Sequence, residues 1–449
     1  MQNDLALFIS LANELIEKEE VEPVVEPIDP DHLYEKLDLT LGDEPMVDEE
    51  FAESLRQLVL ATPRTASKKF YNQLFGGRNS KAVLGDLIAV MLNNSMYTYK
   101  VAGPQVGVEK EIIHRSCDLA GYPKQSDGTI AAGGSMTNLM AMLMARDHGR
   151  FEITRKGVNG KMTLYTSEDS HYSIPKNASF IGVGLEQVRY IPTNSRGEML
   201  VKELEEAIVK DQMAGYTPFF VNATAGTTVL GSFDPIAEIS SICTKHGLWL
   251  HVDGAYCGSV IFSEKYKRLI KGLELSDSFS YNAHKMLGTP LTCSIIITQH
   301  RKALYDSFSI DADYLYQTDK DDFNLGKTSL QCGRRNDALK FWTLWKAIGL
   351  KGLEELVNKQ FELADFAREY VINHPDYTFY SFEDSVSICF NYKNVPANEL
   401  CTAMYKDSKT LVGFGEFRGQ EFVRLVTINP GNSKEDLLEF FKTLETYTA

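Results

Sequence analysis

Apolar and polar positions along the chain follow two different periods. Apolar side chains recur at helical spacing over residues 5–16 and again over about 47–60, which predicts two amphipathic helices. From residue 62 to residue 299, helical segments alternate with short apolar runs that close on small residues. Such alternation indicates βαβ units and a mostly parallel sheet that is covered on both faces. The runs are PFFVNATAGT (218–227), LWLHVDGAY (248–256), SFSYNAH (278–284) and CSIIITQ (293–299).

The pattern changes after Gln331. A long stretch at helical spacing is followed by two strand-like runs, VSICFNY and EFVRLVTIN, and by a closing helical segment, SKEDLLEFFKTLETY. We therefore predict an α/β protein with a large domain and a smaller C-terminal α+β domain. The expected division is an N-terminal helical arm with an acidic linker over residues 1–60, a large domain over 61–320 and a small domain over 321–449.

Acidic charge is concentrated near the beginning of the chain. The 449 residues have a net charge of −15, and the segment from Glu14 to Glu50 has fifteen acidic side chains against two lysines. The rest of the chain is nearly neutral and shows no basic stripe, so we expect neither nucleic acid nor a membrane surface as a partner. An arm of this composition commonly packs on another subunit, and a solvated tail is the alternative.

The composition is that of a globular protein. Apolar residues make up 43% of the chain and charged residues 24%, which allows a sizeable core. No apolar run is long enough to span a bilayer, and the first residues lack the features of a signal peptide. Seven cysteines are scattered without a CxxC pair, which argues against a disulfide framework or a structural zinc site. We expect a cytoplasmic protein whose thiols are mostly buried and reduced.

Polar residues close three of the apolar runs. In open parallel sheets ligands bind at the carboxyl ends of the strands, so these residues are the first candidates for chemistry. They are Thr224, Asp253 and the neighbouring pair His284 and Lys285. Asp253 follows the apolar LWLHV, where an unpaired carboxylate is costly, and it therefore needs a cationic partner. A surface position is the ordinary alternative for Lys285.

Further candidates lie upstream. The segment AAGGSMTNLMAMLMAR places Gly134 and Ser135 before a predicted helix, whose first backbone N–H groups are a natural phosphate site. A simple helix cap is the alternative there. His171 lies in SEDSHYSIPKNA, and a single histidine of this kind is more often a satisfied polar residue than a catalyst.

Taken together, these residues fit one cofactor, pyridoxal phosphate. This cofactor needs a lysine for a Schiff base, an acid to keep its ring nitrogen protonated, and a phosphate cradle. Lys285 would supply the amine, Asp253 would pair with the ring nitrogen, and His171 would stack on the ring. Ala255, two residues after Asp253, is small enough to lie beneath the ring. The phosphate would be held by Gly134, Ser135 and His284.

Longer strings resemble the group II pyridoxal-phosphate decarboxylases, a family that includes glutamate, cysteine sulfinate, aspartate 1- and aromatic amino acid decarboxylases. The strings are NAHKMLGTPLTCS, HVDGAY, NATAGTTVLGSFDP and LQCGRRND, and the resemblance runs from about Pro63 to Asn429. It implies the aspartate-aminotransferase type of fold (fold type I) and a homodimer with active sites at the subunit interface. It implies the roles given above for Lys285, Asp253, His171 and His284.

The resemblance adds two cofactor residues and two substrate residues. It implies that Thr224 lies near the 3′-oxygen of the cofactor and that Asn282 also binds the cofactor. Arg424 matches an arginine that binds the side-chain acid of the substrate in glutamate-type members, and Gln73 matches a glutamine that assists it. A decarboxylase must leave the α-carboxylate able to depart, so its firm grip falls on the other end of the substrate. We expect an acidic amino acid as substrate; for Arg424, a surface ion pair is the alternative.

Three aromatic or hydroxyl positions bear on the length of that substrate. Glutamate decarboxylases have a serine where this chain has Phe75, and Asn and Phe where it has Ser95 and Tyr97. The set found here is similar to cysteine sulfinate decarboxylases and their aspartate-accepting relatives. A phenyl ring in place of a hydroxyl shortens the pocket, but one methylene is worth only ~1–3 kcal/mol, so cross-reactivity is expected. Ordinary core packing is the alternative for Phe75 and Tyr97.

The segment DKDDFNLGKTSLQCGR is shorter than its counterpart in the family. It has Phe323 near the position of a tyrosine that is thought to donate a proton during the reaction. A phenyl ring has no proton to donate. Tyr316, His171 or a water molecule would then have to do so.

The leading hypothesis is α-decarboxylation of cysteine sulfinate or L-aspartate, giving hypotaurine or β-alanine. A glutamate decarboxylase that makes 4-aminobutanoate is the first alternative, supported by Gln73 and Arg424 and opposed by Phe75. A pyridoxal-phosphate-dependent transaminase is the second. A dimeric binding module without cofactor is poorly supported, because a competent residue occupies every expected cofactor contact.

Overall fold

The structure is a computed structural model that describes residues 1–150, 152–310 and 321–447. It divides into two compact units. The first unit comprises Met1–Gly77, Leu363–Tyr380 and Ser387–Ala449, and the second comprises Arg78–Glu362 and Ser381–Val386. The three-part division drawn from the sequence stays a prediction.

The second unit is built on a seven-stranded mixed sheet. Its strands lie in the order β1-β7-β6-β5-β4-β2-β3, and β7 is antiparallel to both of its neighbours. The run from β6 to β3 is parallel throughout, which confirms the mostly parallel sheet predicted from the sequence. The strands are β1 (Asp127–Ala131), β2 (Met162–Ser167), β3 (Val188–Ile191), β4 (Thr217–Thr224), β5 (Trp249–Gly254), β6 (Ser278–Asn282) and β7 (Ser294–Thr298).

The first unit contains a four-stranded antiparallel sheet. Its strands lie in the order β10-β11-β9-β8, which agrees with the smaller C-terminal α+β region expected from the sequence. They are β8 (Tyr377–Phe379), β9 (Ser387–Tyr392), β10 (Gly413–Phe417) and β11 (Gln420–Val426).

Helices connect the strands in both units. The long predicted helix after residue 331 begins at Ala338 and bends at Gly349, whose φ of 67° is one that glycine adopts without strain. The helices are α1 (Gln2–Val21), α2 (Leu33–Lys36), α3 (Asp48–Ala61), α4 (Ser80–Leu92), α5 (Tyr99–Ala102), α6 (Gln105–Ala120), α7 (Gly134–Asp147), α8 (Glu152–Lys156), α9 (Ser173–Phe180), α10 (Val201–Met213), α11 (Ile236–His246), α12 (Ala303–Phe308), α13 (Ala338–Asn373), α14 (Ala397–Lys406) and α15 (Lys434–Glu445).

Burial in the core of the second unit explains why its strands appear in the sequence as unbroken apolar runs. Every residue of β2, β5, β6 and β7 is buried, because helices cover both faces of the sheet. Helix α7 packs Met140, Ala141 and Met144 into the same core as Phe220 and Trp249. The apolar face of α7 thereby fixes where its first turn lies over the sheet.

Two expectations from composition can be compared with the structure directly. No helix in the described part of the chain combines the length and the apolar character needed to cross a bilayer. The seven cysteines are thiols rather than disulfides, six of them buried and Cys332 exposed.

A buried ion pair ties α6 to the segment before α13. Arg334 and Glu109 are 3% and 2% exposed and hydrogen-bond to each other. Arg334 Nη1 also donates to Thr129 Oγ1 at 3.2 Å, and Glu109 Oε1 accepts from the backbone N–H of Ile130 at 3.1 Å. Removing one partner would leave the other charge buried without its counterion.

We predict that Glu109→Gln lowers the free energy of unfolding by about 3 kcal/mol, because the Arg334 charge loses its partner. The apolar double variant Glu109→Leu with Arg334→Met should lose less, since it buries no charge. Urea unfolding midpoints measure both. Glu206→Gln, in an exposed pair with Lys202, is the matched control and should change stability by less than about 0.5 kcal/mol. Equal losses for the buried and exposed pairs would contradict the prediction.

Candidate active site

The carboxyl ends of three adjacent parallel strands bring the predicted polar residues together. Thr224 is the last residue of β4 and stands opposite Asp253 of β5 in the strand register. Asn282 is the last residue of β6, and His284 and Lys285 follow it directly. Because β4, β5 and β6 are neighbours in the sheet, all of these side chains reach the same edge.

At this edge lies a cavity of about 180 Å³ in the second unit. All nine cofactor residues predicted from the sequence line it, although their individual roles stay predictions. Those nine are Gly134, Ser135, His171, Thr224, Asp253, Ala255, Asn282, His284 and Lys285. The sequence analysis did not single out five further lining residues, which are Asn138, Tyr172, Gly226, Thr228 and Tyr256.

Asp253 is the buried carboxylate of the cavity, 3% exposed. Its Oδ1 accepts a hydrogen bond from the backbone N–H of Ala255 at 3.0 Å, and its Oδ2 accepts one from Asn138 Nδ2 at 2.8 Å. Lys285 also lines the cavity, with its Nζ 6.0 Å from the centre of the Tyr256 ring. The cavity therefore contains a carboxylate whose orientation is fixed by two hydrogen bonds, and the amine of Lys285.

Helix α7 begins at the cavity. Its first residues, Gly134 and Ser135, line the space, and the N–H groups of Met136 and Thr137 already donate to the carbonyl of Gly133. The N–H groups of the first two residues are those that helix geometry leaves outside the ladder, so they suit an anion. A Cβ at Gly134 would come within 3.1 Å of the Ala255 Cβ and of Asn282 Nδ2. A glycine at this position thus keeps the space open.

The two histidines of the cavity are held neutral by their surroundings. Burial lowers the pKa of His171, with Asp253 opposing the shift and Lys285 adding to it. Burial also lowers the pKa of His284 to about 4, and the neighbouring charge of Lys285 adds to the effect. The Nδ1 of His284 lies 2.9 Å from the backbone nitrogen and 3.1 Å from the backbone carbonyl oxygen of Cys293, so the Cys293 backbone holds the ring in place.

Thr224 is positioned by a buried acid behind the cavity. Its backbone N–H donates to Asp234 Oδ2 at 2.7 Å, and Met199 N donates to Oδ1 of the same residue at 2.7 Å. Burial raises the pKa of Asp234 to about 7, and the two backbone donors oppose that shift. The end of β4 is thereby tied to the loop that contains Met199.

Three of the predicted substrate residues belong to the first unit. Arg424 lies in β11 opposite Gly413, and its Nη2 donates to the backbone carbonyl of Asn72 at 2.9 Å. Gln73 is exposed, and Phe75 is half-buried with its ring centre 5.7 Å from that of Phe70. Their substrate roles stay predictions.

The other two predicted substrate residues belong to the second unit. Ser95 Oγ accepts from the backbone N–H of Arg334 at 3.2 Å and lies 3.4 Å from the carbonyl of Cys332. The Tyr97 ring lies against the backbone of Gly326, where an added Cβ would come within 2.3 Å of it. Both contacts hold the segment in place, and the substrate roles stay predictions here too.

Phe323 has no proton to donate, so the candidate side-chain donors are Tyr316 and His171. Phe323 packs edge-on against Tyr99, with ring centres 5.5 Å apart, in the small cluster around Val106. Tyr316 lies outside the described residues. His171 lines the cavity, and its Nδ1 accepts from the backbone N–H of Ser173 at 3.2 Å, which leaves its proton on Nε2. His171 therefore has a proton that faces away from its own backbone contact.

The sequence contained signals for two of the residues that the analysis missed. Asn138 follows Gly134 by four positions, so both lie on one face of α7. His251 precedes Asp253 by two positions and therefore shares its side of β5. Helical and strand periodicity, applied outward from the residues already chosen, would have found both.

The residues present fit pyridoxal phosphate. The cavity offers an amine, a carboxylate that accepts two N–H bonds, a helix N-terminus and two neutral imidazoles. Among the described residues, Asn282 Oδ1 is buried and receives no hydrogen bond, so a polar group on a bound molecule would satisfy it. A sheet of this order with such a site at its carboxyl edge defines a pyridoxal-phosphate enzyme.

Comparison with known proteins identifies the family. The pyridoxal-dependent decarboxylase conserved domain matches residues 30–393. The chain is 34% identical over 440 residues to acidic amino acid decarboxylase GADL1 of Mus musculus, covering 93% of this chain and 80% of that protein. It is 36% identical over 393 residues to cysteine sulfinic acid decarboxylase of Homo sapiens, covering 86% of this chain and 80% of that protein.

A solved structure supports the same family assignment. The crystal structure of mouse CSAD superposes with a TM-score of 0.93 at 32% identity, covering 98% of this chain and 97% of that one. The chain belongs to the pyridoxal-dependent decarboxylase family, and the protein is a pyridoxal-phosphate-dependent amino acid decarboxylase. The fold class, the cofactor and the enzyme class predicted from the sequence are confirmed.

Neutral buried histidines predict a loss of stability in acid. Burial lowers the pKa of His251 from its ordinary 6.5 to about 4. As the pH falls below 6.5, His251 takes up a proton in the unfolded chain but stays neutral in the folded protein. The free energy of unfolding therefore decreases until about pH 4. The loss from this one histidine approaches about 3 kcal/mol. Urea unfolding of the cofactor-free protein between pH 7 and 4.5 measures it.

His251→Gln is the matched variant, because glutamine does not titrate. The variant should lose visibly less stability than the wild type over the same pH range. Identical pH profiles would show that His251 has the same pKa in the folded and the unfolded protein, contrary to the prediction.

Proposed function

We propose that the protein removes the α-carboxylate of a short acidic amino acid, cysteine sulfinate or L-aspartate, as CO2. The observation that carries the chemistry is the group of lysine, carboxylate and helix N-terminus around one cavity. The names of the relatives support the substrate class, since one acts on acidic amino acids and the other on cysteine sulfinic acid. The products would be hypotaurine or β-alanine.

Within this proposal Lys285 holds the cofactor covalently and Asp253 pairs with its ring nitrogen. When bound, pyridoxal phosphate supplies a sink for the electron pair that the departing carboxylate leaves behind. The carboxylate of Asp253 accepts from two N–H groups already, which fixes its direction toward the cavity. Ala255 leaves room beneath the ring, and His171 stacks on the other face.

The phosphate would be held by the first turn of α7 and by His284. The helix contributes backbone N–H groups with the positive end of its dipole, and His284 would contribute a ring N–H. Thr224 and Asn282 would complete the polar contacts at the ring. Each of these residues lines the cavity.

The acidic end of the substrate would be bound by Arg424, with Gln73 assisting. A guanidinium presents pairs of N–H donors that match the two oxygens of a carboxylate or sulfinate. Phe75 would shorten the pocket, and Ser95 and Tyr97 complete the set that distinguishes short from long acids. A glutamate decarboxylase is the second candidate, because Arg424 and Gln73 suit either acid.

We predict CO2 release from cysteine sulfinate and L-aspartate at rates at least about tenfold above those with L-glutamate or an aromatic amino acid. Lys285→Ala is the blank. Best turnover of glutamate would overturn the assignment of Phe75 and keep the chemistry. A keto acid without CO2 would establish a transaminase instead.

Two variants, assayed by the same CO2 release, test whether Arg424 binds the acidic end of the substrate. Arg424→Leu should lower kcat/KM for the short acids by roughly 10- to 150-fold, the worth of one charge-assisted contact. Arg418→Leu, at an exposed position in the turn of the same hairpin, is the matched control and should leave kcat/KM unchanged. An equal effect of the two substitutions would remove Arg424 from the substrate site.

We also propose that the protein is a homodimer with its active sites at the subunit interface. Helix α4 supports this, because its small residues Ala82, Gly85 and Ala89 are buried, and Gly85 lies against Thr343 of α13. Its large apolar residues point outward and are between 39% and 59% exposed. These are Leu84, Leu87, Ile88, Val90, Met91 and Leu92. An apolar face of this extent is the mark of an interface.

Exposed apolar residues also occur close in sequence to two of the proposed substrate residues. Tyr99 and Val101 are also exposed, at 44% and 60%, and they closely follow Ser95 and Tyr97 along the chain. In the first unit, α1 exposes apolar residues of its own, among them Phe8 and Ile9. These exposed residues support the expectation that the N-terminal arm packs on a second copy of the chain. A cytoplasmic location, and the expectation of no nucleic acid partner, stay predictions.

We predict that Ile88→Glu converts the dimer to monomers, because it places a charge in the middle of the apolar face of α4. Sedimentation velocity measures the change, from twice the 50.4-kDa chain mass to the single mass. Lys81→Glu, at the exposed beginning of the same helix, is the control and should remain dimeric. A wild-type protein that sediments as a monomer would refute the proposal.

A further inference from the structure

A buried chain of hydrogen bonds leads from Asp253 away from the cavity. Asp253 Oδ2 accepts from Asn138 Nδ2 at 2.8 Å, and Asn138 Oδ1 lies 3.1 Å from His251 Nε2. His251 Nδ1 lies 2.9 Å from Ser278 Oγ, which accepts from Trp249 Nε1 at 2.8 Å. All five side chains belong to the second unit, and none is more than 5% exposed.

The carboxylate of Asp253 determines which groups donate and which accept along this chain of hydrogen bonds. An ionised carboxylate only accepts hydrogen bonds, so the amide of Asn138 must turn its NH2 group toward Asp253. The amide oxygen then faces His251 and can only accept. His251 must therefore have its proton on Nε2.

The tryptophan end is compatible with the same direction. An indole N–H only donates, so Ser278 Oγ accepts from Trp249, and the hydroxyl proton of Ser278 is available for His251 Nδ1. A neutral imidazole has one proton, and burial keeps His251 neutral by lowering its pKa to about 4. The carboxylate end thus requires the tautomer with its proton on Nε2, and the hydroxyl of Ser278 can donate to the unprotonated Nδ1.

The amide of Asn138 serves a second side chain of the cavity. Its Nδ2 also donates to Ser173 Oγ at 3.0 Å, and that hydroxyl lies 2.8 Å from His171 Nδ1. The backbone N–H of Ser173 donates to the same ring nitrogen. One amide group therefore contacts Asp253 directly and His171 through one hydroxyl.

We propose that Asn138 is a positioning residue for the cofactor, and that the Nε2–H tautomer of His251 holds it in its working orientation. The inference rests on the cofactor roles proposed for Asp253 and His171. If Asn138 turned over, its oxygen would face the carboxylate and its contact with Ser173 would be lost. His251 prevents this, because its Nε2–H can form a hydrogen bond only when the amide oxygen of Asn138 faces it. The group that sets the two cofactor contacts thus lies outside the cavity.

Two variants of His251 distinguish its hydrogen bond to Asn138 from its hydrogen bond to Ser278. The longer amide of His251→Gln reaches toward Asn138 and can replace the Nε2–H donor. The shorter amide of His251→Asn reaches toward Ser278 and loses the contact with Asn138. Titration of the cofactor-free proteins with pyridoxal phosphate, followed by absorbance, gives the dissociation constants. We expect His251→Gln to bind within about threefold of the wild type and His251→Asn to bind about tenfold or more weakly.

A purely structural role would affect both variants alike. Thermal unfolding of the two cofactor-free variants should therefore give similar midpoints while their cofactor affinities differ. Equal affinities for the two variants, whether both tight or both weak, would overturn the proposal.

A measurement on the unchanged protein gives an answer even if either variant fails to fold. In protein with 15N-labelled histidine and bound cofactor, the long-range 1H–15N correlation of His251 should show a protonated Nε2 and an unprotonated Nδ1 at neutral pH. A proton on Nδ1, or on both nitrogens, would overturn the proposal. CO2 release from the acidic amino acids tests the proposed function separately, so the two failures remain distinguishable.

Discussion

A buried carboxylate at the end of a parallel strand is the constraint on which the active centre depends. Asp253 is 3% exposed, and an ionised group at such depth is stable only when hydrogen-bond donors surround it. The backbone of Ala255 supplies one donor and Asn138 supplies the other. A positively charged ring nitrogen, brought by the cofactor, would complete this set. The site is thus prepared for a cation before any cofactor enters it.

Regular elements hold every part of this arrangement. Asp253 and His251 share one side of β5, while Gly134 and Asn138 lie one turn apart on α7. One turn of helix rises about 5.4 Å, so α7 can serve the phosphate with its first residues and the ring-nitrogen partner with its second turn. The packing of Met140 and Met144 against the core fixes that turn over the sheet. Core packing and cofactor geometry are therefore set by the same helix.

The sequence predicted the sheet, its carboxyl edge and the lining of the cavity, because these follow from local patterns. Apolar runs that close on Thr224, Asp253 and the pair His284 and Lys285 identify buried strands with ligands at their ends, and the family resemblance added Asn282. The contacts of Asn138 were beyond prediction because they depend on how α7 is rotated over β5. Strand order and the antiparallel β7 were likewise outside local pattern, since they are properties of pairing between distant segments.

The chemical centre lies in the second unit. Both carboxylate oxygens of Asp253 and the amide of Asn138 have hydrogen-bond partners there, so a substitution would disturb several contacts at once. Two of the residues proposed to bind the substrate, Arg424 and Phe75, belong to the first unit, where Arg424 donates to the carbonyl of Asn72 and Phe75 packs against the ring of Phe70. One methylene of substrate is worth only ~1–3 kcal/mol, which a single side chain of this kind can supply or remove. Residues outside the chemical centre can therefore change the substrate while the centre itself stays the same.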